Sequence, residues 1–439
     1  MASSSSQDKF LVYSVNNNTH LTGISKGCAL FQFGSSEITL ISGQLSIDGH
    51  NLLPKKPYDV ITSDWMPARV LNTSQKVVKL SSSSSVVKYL SNIHNILIAS
   101  DSISSLCDPQ IVGAIVLLKC LSNQEWLIDA EEFQASTIST QLGQVVTTHT
   151  ASTPSSSIAT ASYCRQINRE MFTVPISWKS GIATVFNRLQ GHSIDDDNVK
   201  LVFCGAKGAG KSSCLRYTIN KLLSLCNEVC VIDCDVGQPE LGIPGTMSLQ
   251  VVKDPILAPS HLNLRIPELS LFAGDVTMKN SPSFFTDAVS VLYDRYLSLV
   301  SKRVSSHKKC KQTHPSMTNV YQALTDADPQ QQMLDRQQYL LPLLVNTDGY
   351  IRYMGSELLS SLLETVRPSH LFHLVTEKDA ELAAVGTYLA QAGEMHNGNG
   401  VDKVRASHGQ VRPPLEVMAL DPGSTAPSKV VSSDLRTLR

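Results

Sequence analysis

A glycine-rich segment near the middle of the chain has the residues of a phosphate-binding loop. Gly205, Gly210, Lys211 and Ser212 satisfy the pattern GxxxxGK[ST]. In such a loop, backbone N–H groups surround a phosphate, the lysine reaches the terminal phosphates and the hydroxyl binds Mg²⁺. The residues predicted to contact the nucleotide are Gly205, Ala206, Lys207, Gly208, Ala209, Gly210, Lys211, Ser212 and Ser213. The pattern therefore predicts a site for ATP and Mg²⁺.

Two aspartates follow the next apolar segment, in the sequence "VIDCDVGQPE". Either Asp233 or Asp235 could reach the metal or activate an attacking hydroxyl, while Mg²⁺ and Lys211 offset the charge of the transferred phosphoryl group. An aspartate pair at a strand end can also cap a turn. The DxxG and [NT]KxD signatures of a GTPase switch are absent at the required spacing. The predicted catalytic residues are Lys211, Asp233 and Asp235.

The elements around these residues alternate between strands and helices. "VKLVFC" predicts a strand before the loop, and Leu215, Ile219, Leu222 and Leu223 recur at helical spacing after it. "EVCVID" then predicts a buried strand, which completes a βαβ unit. The later segments alternate in the same way: helix at 284–300, strand and loop in "YLLPLLVNTDGY", helix in "SELLSSLLETV" and strand in "SHLFHLV". This order predicts an α/β domain whose parallel sheet is covered by helices.

The N-terminal part has a different pattern. From Phe31 to Ile47 apolar and polar residues alternate, with "GSS" and "SG" as predicted turns. We therefore expect a β-rich N-terminal domain. The serine run 81–85 and the Ser/Thr-rich stretch 136–162 predict loops, because such segments bury little apolar surface.

Composition excludes some classes of protein. The chain has 439 residues, 42% of them hydrophobic and 17% charged, with a net charge of −1, so any polyanion must meet a local basic patch. "MASSSSQDKF" has no signal-peptide character, and the apolar run Ile111–Leu118 is too short to span a bilayer. We expect an intracellular protein that does not bind a membrane.

Two further features leave alternatives open. The ten cysteines are expected to be reduced thiols, and Cys226, Cys230 and Cys234 lack the CxxC spacing of a zinc site. The basic stretch "KRVSSHKKCK" at Lys302–Lys311 favours RNA binding or nuclear import, but it is equally consistent with a solvated charged loop.

Four segments together resemble the polynucleotide 5′-hydroxyl kinases, specifically the nucleolar branch that acts in pre-ribosomal RNA processing. They are "SWKSG", "GAKGAGKSS", "DCDVGQPE" and "PLLVNTDGY", and the resemblance covers residues 175 to 378. It implies an α/β P-loop kinase domain with a parallel sheet, preceded by a β-rich accessory domain. It also implies transfer of the γ-phosphate of ATP to the 5′-hydroxyl of RNA, an endoribonuclease partner, and a location in the nucleus and nucleolus.

The resemblance also assigns roles to residues. Asp235 would be the general base, and Asp233 would bind the metal together with Ser212. Thr347, Gly349 and Tyr350 would hold the RNA end with Gln238, and Tyr350 would stack on a base, unless it is a core aromatic at a strand end. "FAGDVTMKNSP" would face the substrate through Asp275 and Thr277.

The same resemblance predicts the organisation of the chain. We expect an accessory domain at 1–174, a kinase domain at 175–380 and a linker with a partial lid at 381–439. Arg436 and Arg439 in "SSDLRTLR" resemble the opening of an arginine-bearing lid, which leads us to expect an incomplete C-terminal region and weak transfer. The alternatives are an ATP-binding scaffold of an rRNA-processing complex and a kinase of nucleosides or other small molecules.

Overall fold

The computed structural model divides the chain into two compact units. One comprises Met1–Met171 with Leu257–Pro259, and the other comprises Phe172–Ile256 with Ser260–Arg439. The structure describes residues 11–16, 19–62, 68–74, 90, 112–120, 145–148, 161–164, 174–191, 199–312, 340–350, 353–375 and 416–420. Within these ranges, no helix has the length and apolar character needed to cross a membrane.

The N-terminal unit contains a ten-stranded sheet in which every strand pair is antiparallel. Its strands are β1 (Leu11–Asn16), β2 (Thr19–Ser25), β3 (Ala29–Ser42), β4 (Leu45–Ile47), β5 (His50–Asn51), β6 (Pro57–Thr62), β7 (Ala68–Asn72), β8 (Val112–Cys120), β9 (Val145–Thr148) and β10 (Ala161–Cys164). The order is β1-β2-β8-β3-β7-β4-β5, with β6 and β10 also on β3 and β9 on β10. The predicted β-rich region is present.

One predicted turn in this unit is wrong. "GSS" at 34–36 lies inside β3, which continues from Ala29 to Ser42. The strand changes partner here, because residues 29–32 pair with β7 and residues 34–39 pair with β6. Gly34, which was predicted to lie in a turn, has a positive φ of 80°. It lies where β3 changes from pairing with β7 to pairing with β6. The "SG" turn is correct, and Gly43 occupies it with φ 95°.

The loop prediction for 136–162 is also wrong in part. β9 and the first two residues of β10 lie within this stretch, and β10 pairs with β3 from Ala161↔Gly34 to Cys164↔Phe31. β9 consists of valine and threonine, which are β-branched residues that favour extended backbone. Although this stretch is poor in apolar residues, it forms strands, because β10 pairs with β3 and β9 pairs with β10. The serine run 81–85 lies outside the described residues.

The C-terminal unit contains a seven-stranded sheet in the order β14-β13-β12-β15-β11-β16-β17. Its strands are β11 (Lys200–Gly205), β12 (Val229–Asp233), β13 (Thr246–Val252), β14 (Leu269–Phe272), β15 (Leu343–Asn346), β16 (His370–Leu374) and β17 (Glu416–Leu420). Strands β12, β15, β11, β16 and β17 are mutually parallel, whereas β13 is antiparallel to both of its neighbours. The predicted parallel sheet is therefore mixed at one edge. The sequence analysis did not predict β17.

Helices cover both faces of this sheet. They are α1 (Ile176–Gly191), α2 (Lys211–Leu222), α3 (Pro282–Gln312) and α4 (Met354–Val366). Buried residues of α3 and α4, such as Leu292 and Leu362, pack on one face, and buried residues of α1 and α2, such as Trp178 and Ile219, pack on the other. The sheet, with helices on both sides, is the α/β architecture that the alternation of elements predicted.

Helix α1 contains the "SWKSG" segment. Trp178 is fully buried in the core beneath this helix. A Cβ on Gly181 would lie 3.0 Å from the sulfur of Met418 and 3.4 Å from the ring of Phe372, so this glycine lets the helix approach β16 and β17 closely. The segment therefore has a packing role.

The order of the central strands determines which loops meet. β15 lies between β11 and β12, and its Asn346 is in register with Phe203 on one side and Asp233 on the other. Because parallel strands end at the same edge of a sheet, the loops after β11, β12 and β15 emerge side by side. This edge brings together the three segments with candidate chemistry.

Candidate active site

The phosphate-binding loop connects the end of β11 to the start of α2. Gly208 has φ 80°, and Gly210, the residue that precedes the helix, has φ 93°, both in the left-handed region that favours glycine. Gly205 has φ 143°, and a Cβ on it would lie 2.5 Å from the carbonyl oxygen of Leu374. The glycines of the motif are therefore required by backbone conformation and, at Gly205, by contact with β16.

We expect Gly205→Ala to lower the free energy of unfolding by about 2 kcal/mol or more, because the methyl group overlaps backbone that cannot move aside. Gly208→Ala should cost about 1 kcal/mol, since its Cβ would meet no atom within 4 Å and only the left-handed backbone is unfavourable. Urea unfolding of the two variants measures the difference. Equal losses would show that the approach of Leu374 to Gly205 does not constrain the loop.

The ammonium of Lys211 lies inside the loop. Its Nζ donates hydrogen bonds to the carbonyl oxygens of Gly205 at 3.0 Å and Ala206 at 3.1 Å, and the side chain is buried. Lys207 and Gly208 are exposed at the tip, Ala209 is buried, and Ser212 and Ser213 are half-buried on the first turn of α2. A positive charge and the amino end of a twelve-residue helix therefore share one anion-binding position.

Asp233 is the last residue of β12, and its carboxylate is almost completely buried. Oδ2 accepts a hydrogen bond from the backbone N–H of Glu240 at 2.6 Å, and Oδ1 accepts from Asn346 Nδ2 at 2.9 Å and from the N–H of Asp235 at 3.2 Å. Burial raises the pKa of Asp233 to about 7, although these hydrogen bonds oppose that effect. The carboxylate is thus fixed in orientation, and a cation beside it would favour its ionised form.

Asp235 lies in a different environment two residues later. It is half-buried, and its Oδ1 accepts hydrogen bonds from the N–H groups of Gly237 at 3.1 Å and Gln238 at 2.8 Å. The side chain of Gln238 is exposed. The aspartate pair therefore presents one buried carboxylate and one carboxylate at the solvent side of the site.

A salt bridge supports the buried aspartate. Glu240, whose N–H bonds to Asp233, is itself buried and accepts a hydrogen bond from Arg216 Nε at 2.9 Å. Arg216 is on α2, close behind the phosphate-binding loop. The sequence analysis did not select this pair. The available signal was a third acidic residue, Glu240, at the end of the "DCDVGQPE" segment.

The segment Thr347–Tyr350 lies against the phosphate-binding loop. Thr347 Oγ1 donates a hydrogen bond to the carbonyl oxygen of Phe203 at 2.8 Å. A Cβ on Gly349 would lie 2.7 Å from both the Cα and the N of Lys207, so only glycine fits between the two loops. The structure thus places Thr347 and Gly349 next to β11 and the phosphate-binding loop.

Asp348 is a third carboxylate in the site, and sequence reasoning did not select it. Its Oδ1 accepts a hydrogen bond from the N–H of Tyr350 at 3.1 Å. Burial raises the pKa of Asp348 to about 6, with a smaller contribution from the charge of Asp235, while the charges of Lys211 and Lys279 act in the opposite direction. Asp348 therefore interacts electrostatically with both Lys211 and Asp235.

Asp348→Asn should stabilise the protein at neutral pH. The native pKa is raised, so the native state binds the proton more tightly than the unfolded state, and ionisation lowers stability as the pH rises from about 4 to about 6. Asparagine keeps the acceptor for Tyr350 and removes the charge. We expect a gain of about 1 kcal/mol above pH 6, after allowance for solvent screening, and no gain below about pH 4.

Thermal unfolding across this pH range measures the gain, with the exposed Asp294 of α3 changed to asparagine as the control. A gain at Asp348 that does not depend on pH would contradict the assigned cause.

The segment 272–282 also borders this edge of the sheet. A Cβ on Gly237 would lie 2.9 Å from the carbonyl oxygen of Val276, so the segment contacts the loop that carries Asp235. Asp275 accepts hydrogen bonds from Asn280 Nδ2 and from the N–H groups of Val276 and Thr277, and the bond from Asn280 is the largest cause of a lowered pKa. Asp275 and Thr277 thus cap their own loop.

Tyr350 lies at the outer side of the site. Its ring is half-buried, and the Nζ of Lys279 lies 4.6 Å from the ring centroid. A small cavity beside it is lined by Phe285, Thr347, Asp348, Tyr350, Gly355, Leu358, Leu359 and Leu362. Tyr350 is therefore not fully enclosed in the core.

Oxygen donors suited to a divalent cation meet beside the phosphate-binding loop. The Oδ1 of Asn346 is buried without a hydrogen-bond partner, and its Nδ2 contacts Asp233. Across the described ranges, no group of three or more ligating side chains is assembled. The pair of Asp233 and Asn346 fits Mg²⁺, which proteins often bind through one or two carboxylates together with substrate phosphates and water.

Other predicted features lie elsewhere. The stretch Lys302–Lys311 is on helix α3, so its interpretation as a loop is wrong, and Arg303 forms an ion pair with Glu228.

Cys226, Cys230 and Cys234 are buried free thiols, and burial raises the pKa of Cys226 and Cys230 to about 12. Arg436 and Arg439 lie outside the described residues.

A phosphate-binding loop, an aspartate at the end of a neighbouring strand and an α/β sheet together define a P-loop nucleotide-binding unit. Comparison with known proteins agrees. A family model described as the P-loop of mRNA cleavage and polyadenylation factor CLP1 matches residues 205–314. Its start coincides with Gly205.

Curated relatives are more specific. The chain is 32% identical over 170 residues to a protein named polynucleotide 5′-hydroxyl-kinase NOL9 from Arabidopsis thaliana, which is 38% of each chain. It is 27% identical over 215 residues to polynucleotide 5′-hydroxyl-kinase grc3 from Schizosaccharomyces pombe, covering 48% of this chain and 25% of that protein. The resemblance predicted from the four motifs is confirmed. The matched region spans between 25% and 38% of the length of these two relatives.

A solved structure of the wild-type Clp1p–Pcf11p complex also matches, with a TM-score of 0.47 and 13% identity over 89% of this chain and 69% of that chain.

Proposed function

We propose that this protein is an ATP-dependent polynucleotide 5′-hydroxyl kinase that transfers the γ-phosphate of ATP to the 5′ end of RNA. The observation that carries the proposal is the meeting of three loops at one sheet edge: the phosphate-binding loop, the loop of Asp233 and Asp235, and Thr347–Tyr350. The first suits a nucleoside triphosphate, and the other two suit an acceptor hydroxyl. The names of the relatives support this assignment.

In the proposed reaction, the 5′-hydroxyl oxygen forms a bond to the γ-phosphorus while the bond to the β,γ-bridging oxygen breaks and ADP leaves. Asp235, on the solvent side of the aspartate pair, accepts the hydroxyl proton. Lys211 exchanges its contacts with the loop carbonyls for contacts with the terminal phosphates, where its charge stabilises the transition state. Bound Mg²⁺, held by Ser212 and Asp233, would offset phosphate charge.

The acceptor side of the site would hold the RNA end. Thr347 is hydrogen-bonded to β11, Gly349 lies against the phosphate-binding loop, and Tyr350 offers a half-buried ring on which a base of any identity can stack. The backbone N–H of Gln238 donates a hydrogen bond to Asp235, and the exposed side-chain amide of Gln238 is available to the same substrate. These contacts would accept RNA without strong sequence preference.

The wider role follows from the resemblance. We assign the chain to pre-rRNA processing in the nucleolus, with an endoribonuclease as a partner, because the curated relatives are named NOL9 and grc3 kinases. We also assign residues 1–174 to an accessory domain, residues 175–380 to the kinase domain and residues 381–439 to a linker and lid region.

Transfer of labelled γ-phosphate from ATP tests the proposal. We expect labelling of an oligoribonucleotide with a 5′-hydroxyl, and no labelling of the same oligonucleotide with a 5′-phosphate. Labelling of free nucleosides in preference to RNA would favour a small-molecule kinase instead. Binding of ATP without transfer to any acceptor would favour a scaffold.

A further inference from the structure

Lys279 is a cation on the acceptor side of the site that the proposed reaction does not use. It belongs to a short 3₁₀ helix, Met278–Asn280, and its side chain is exposed. The segment beneath it is well anchored, because Met278 is fully buried and Thr277 Oγ1 accepts a hydrogen bond from the N–H of Lys279. The flexible part is therefore the lysine side chain, whose ammonium lies over Tyr350.

The surroundings of Lys279 are acidic. Asp275 is in the same segment, and Asp348 and Asp235 lie in the adjacent loops. Within segments 272–281 and 347–350, all of which the structure describes, Lys279 is the cationic residue. The chain as a whole has a net charge of −1, so general attraction does not bring a polyanion to this edge. A substrate that carries phosphodiesters needs a local positive charge here.

We propose that Lys279 binds the phosphodiester on the 3′ side of the first nucleotide while the base of that nucleotide stacks on Tyr350, so that the site selects polynucleotides over nucleosides. This inference rests on the proposed function and identifies the substrate feature that the acceptor site recognises. A nucleoside has a 5′-hydroxyl and a base, but it lacks the phosphodiester. Lys279 would therefore contribute nothing to its binding.

The contact with Tyr350 is compatible with this role. A cation–π contact at an exposed position is weak, whereas a hydrogen bond between an ammonium and a phosphate is assisted by both charges. The ammonium can leave the ring for a phosphate, and the ring face that it vacates becomes available to a base. In the absence of RNA, the same contact keeps the ammonium next to the site rather than in open solvent.

A cycle that combines Lys279→Gln with a neutral linkage tests the inference. The substrates are two 5′-hydroxyl oligonucleotides that differ only in the first linkage, which is either a phosphodiester or an uncharged methylphosphonate. In the wild type we expect the neutral linkage to lower kcat/KM about tenfold, as for one charge-assisted contact. In Lys279→Gln it should have little effect, because the partner of the charge has already been removed.

Salt dependence provides a second readout that loss of structure would not reproduce. The slope of log kcat/KM against log salt concentration should become shallower by about 0.7 in Lys279→Gln, the change for one single-strand phosphate contact. Lys200→Gln is the matched control. Lys200 also contacts a tyrosine ring, that of Tyr293. It lies at the amino end of β11, whereas the site lies at the carboxyl end of that strand.

The outcomes are distinct. If the neutral linkage lowers kcat/KM by the same factor in wild type and Lys279→Gln, Lys279 does not bind that phosphate and this inference is overturned while the kinase assignment stands. If the wild-type protein phosphorylates no 5′-hydroxyl oligonucleotide, the proposed function is overturned and the inference with it.

Discussion

Replacing Lys211 with alanine is expected to lower phosphate transfer about 10³-fold. The ammonium lies inside the phosphate-binding loop, so its loss removes a positive charge at the position where the terminal phosphates would bind. Nucleotide affinity should fall much less, because the backbone N–H groups and the amino end of α2 remain. Steady-state transfer to a 5′-hydroxyl oligoribonucleotide and equilibrium binding of ATP measure the two effects separately.

Lys221→Ala is the matched control for this prediction. Lys221 lies on the last turn of the same helix, where it contacts the ring of Tyr217, so its removal tests the helix without altering the loop. Transfer by Lys221→Ala should equal that of the wild type. Unchanged transfer by Lys211→Ala would mean that another group neutralises the phosphates.

The second large effect is expected at Asp235. Asparagine keeps the shape and one acceptor oxygen for the N–H groups of Gly237 and Gln238, so the loop should keep its conformation. The variant lacks the proposed base. We expect kcat to fall between about 10²-fold and 10⁴-fold, with unchanged ATP binding.

Asp294→Asn, an exposed change on α3, controls for the loss of one negative charge. Full turnover by Asp235→Asn would assign the base elsewhere, and Asp348 would be the next candidate because it interacts with both Asp235 and Lys211.

The local parts of the site could be predicted from the sequence. The glycines, Lys211 and the aspartate pair are contiguous in two short segments, and each sits at a junction that hydrophobic periodicity identifies. The backbone confirms the reason for the glycines, since Gly208 and Gly210 have positive φ and Gly205 has no room for a Cβ.

The long-range parts could not be predicted in the same way. The insertion of β15 between β11 and β12 places Thr347 and Asp348 beside the phosphate-binding loop, and no local pattern encodes the order of strands in a sheet. The antiparallel direction of β13 relative to β12 and β14 could not be predicted either, because no local pattern encodes strand direction. The effect of Asp348 depends on burial and on Lys211, more than a hundred residues away, so sequence analysis did not single it out.

The contact between Lys279 and Tyr350 is a further example. Tyr350 ends a clear motif. Lys279 lies in "FAGDVTMKNSP", a segment whose predicted substrate-facing residues were Asp275 and Thr277. The structure shows that Asp275 caps its own loop and that the lysine faces the site.

Identification of the atom that receives the phosphate tests the central claim most directly. The protein is incubated with γ-labelled ATP and a 5′-hydroxyl oligoribonucleotide, and the product is digested to nucleotides. The proposed function predicts that all label is recovered as the 5′-phosphate of the first nucleotide, and that Lys211→Ala prevents its appearance. Label at any other position, or label that appears equally with Lys211→Ala, would contradict the assignment of this site as a polynucleotide 5′-hydroxyl kinase.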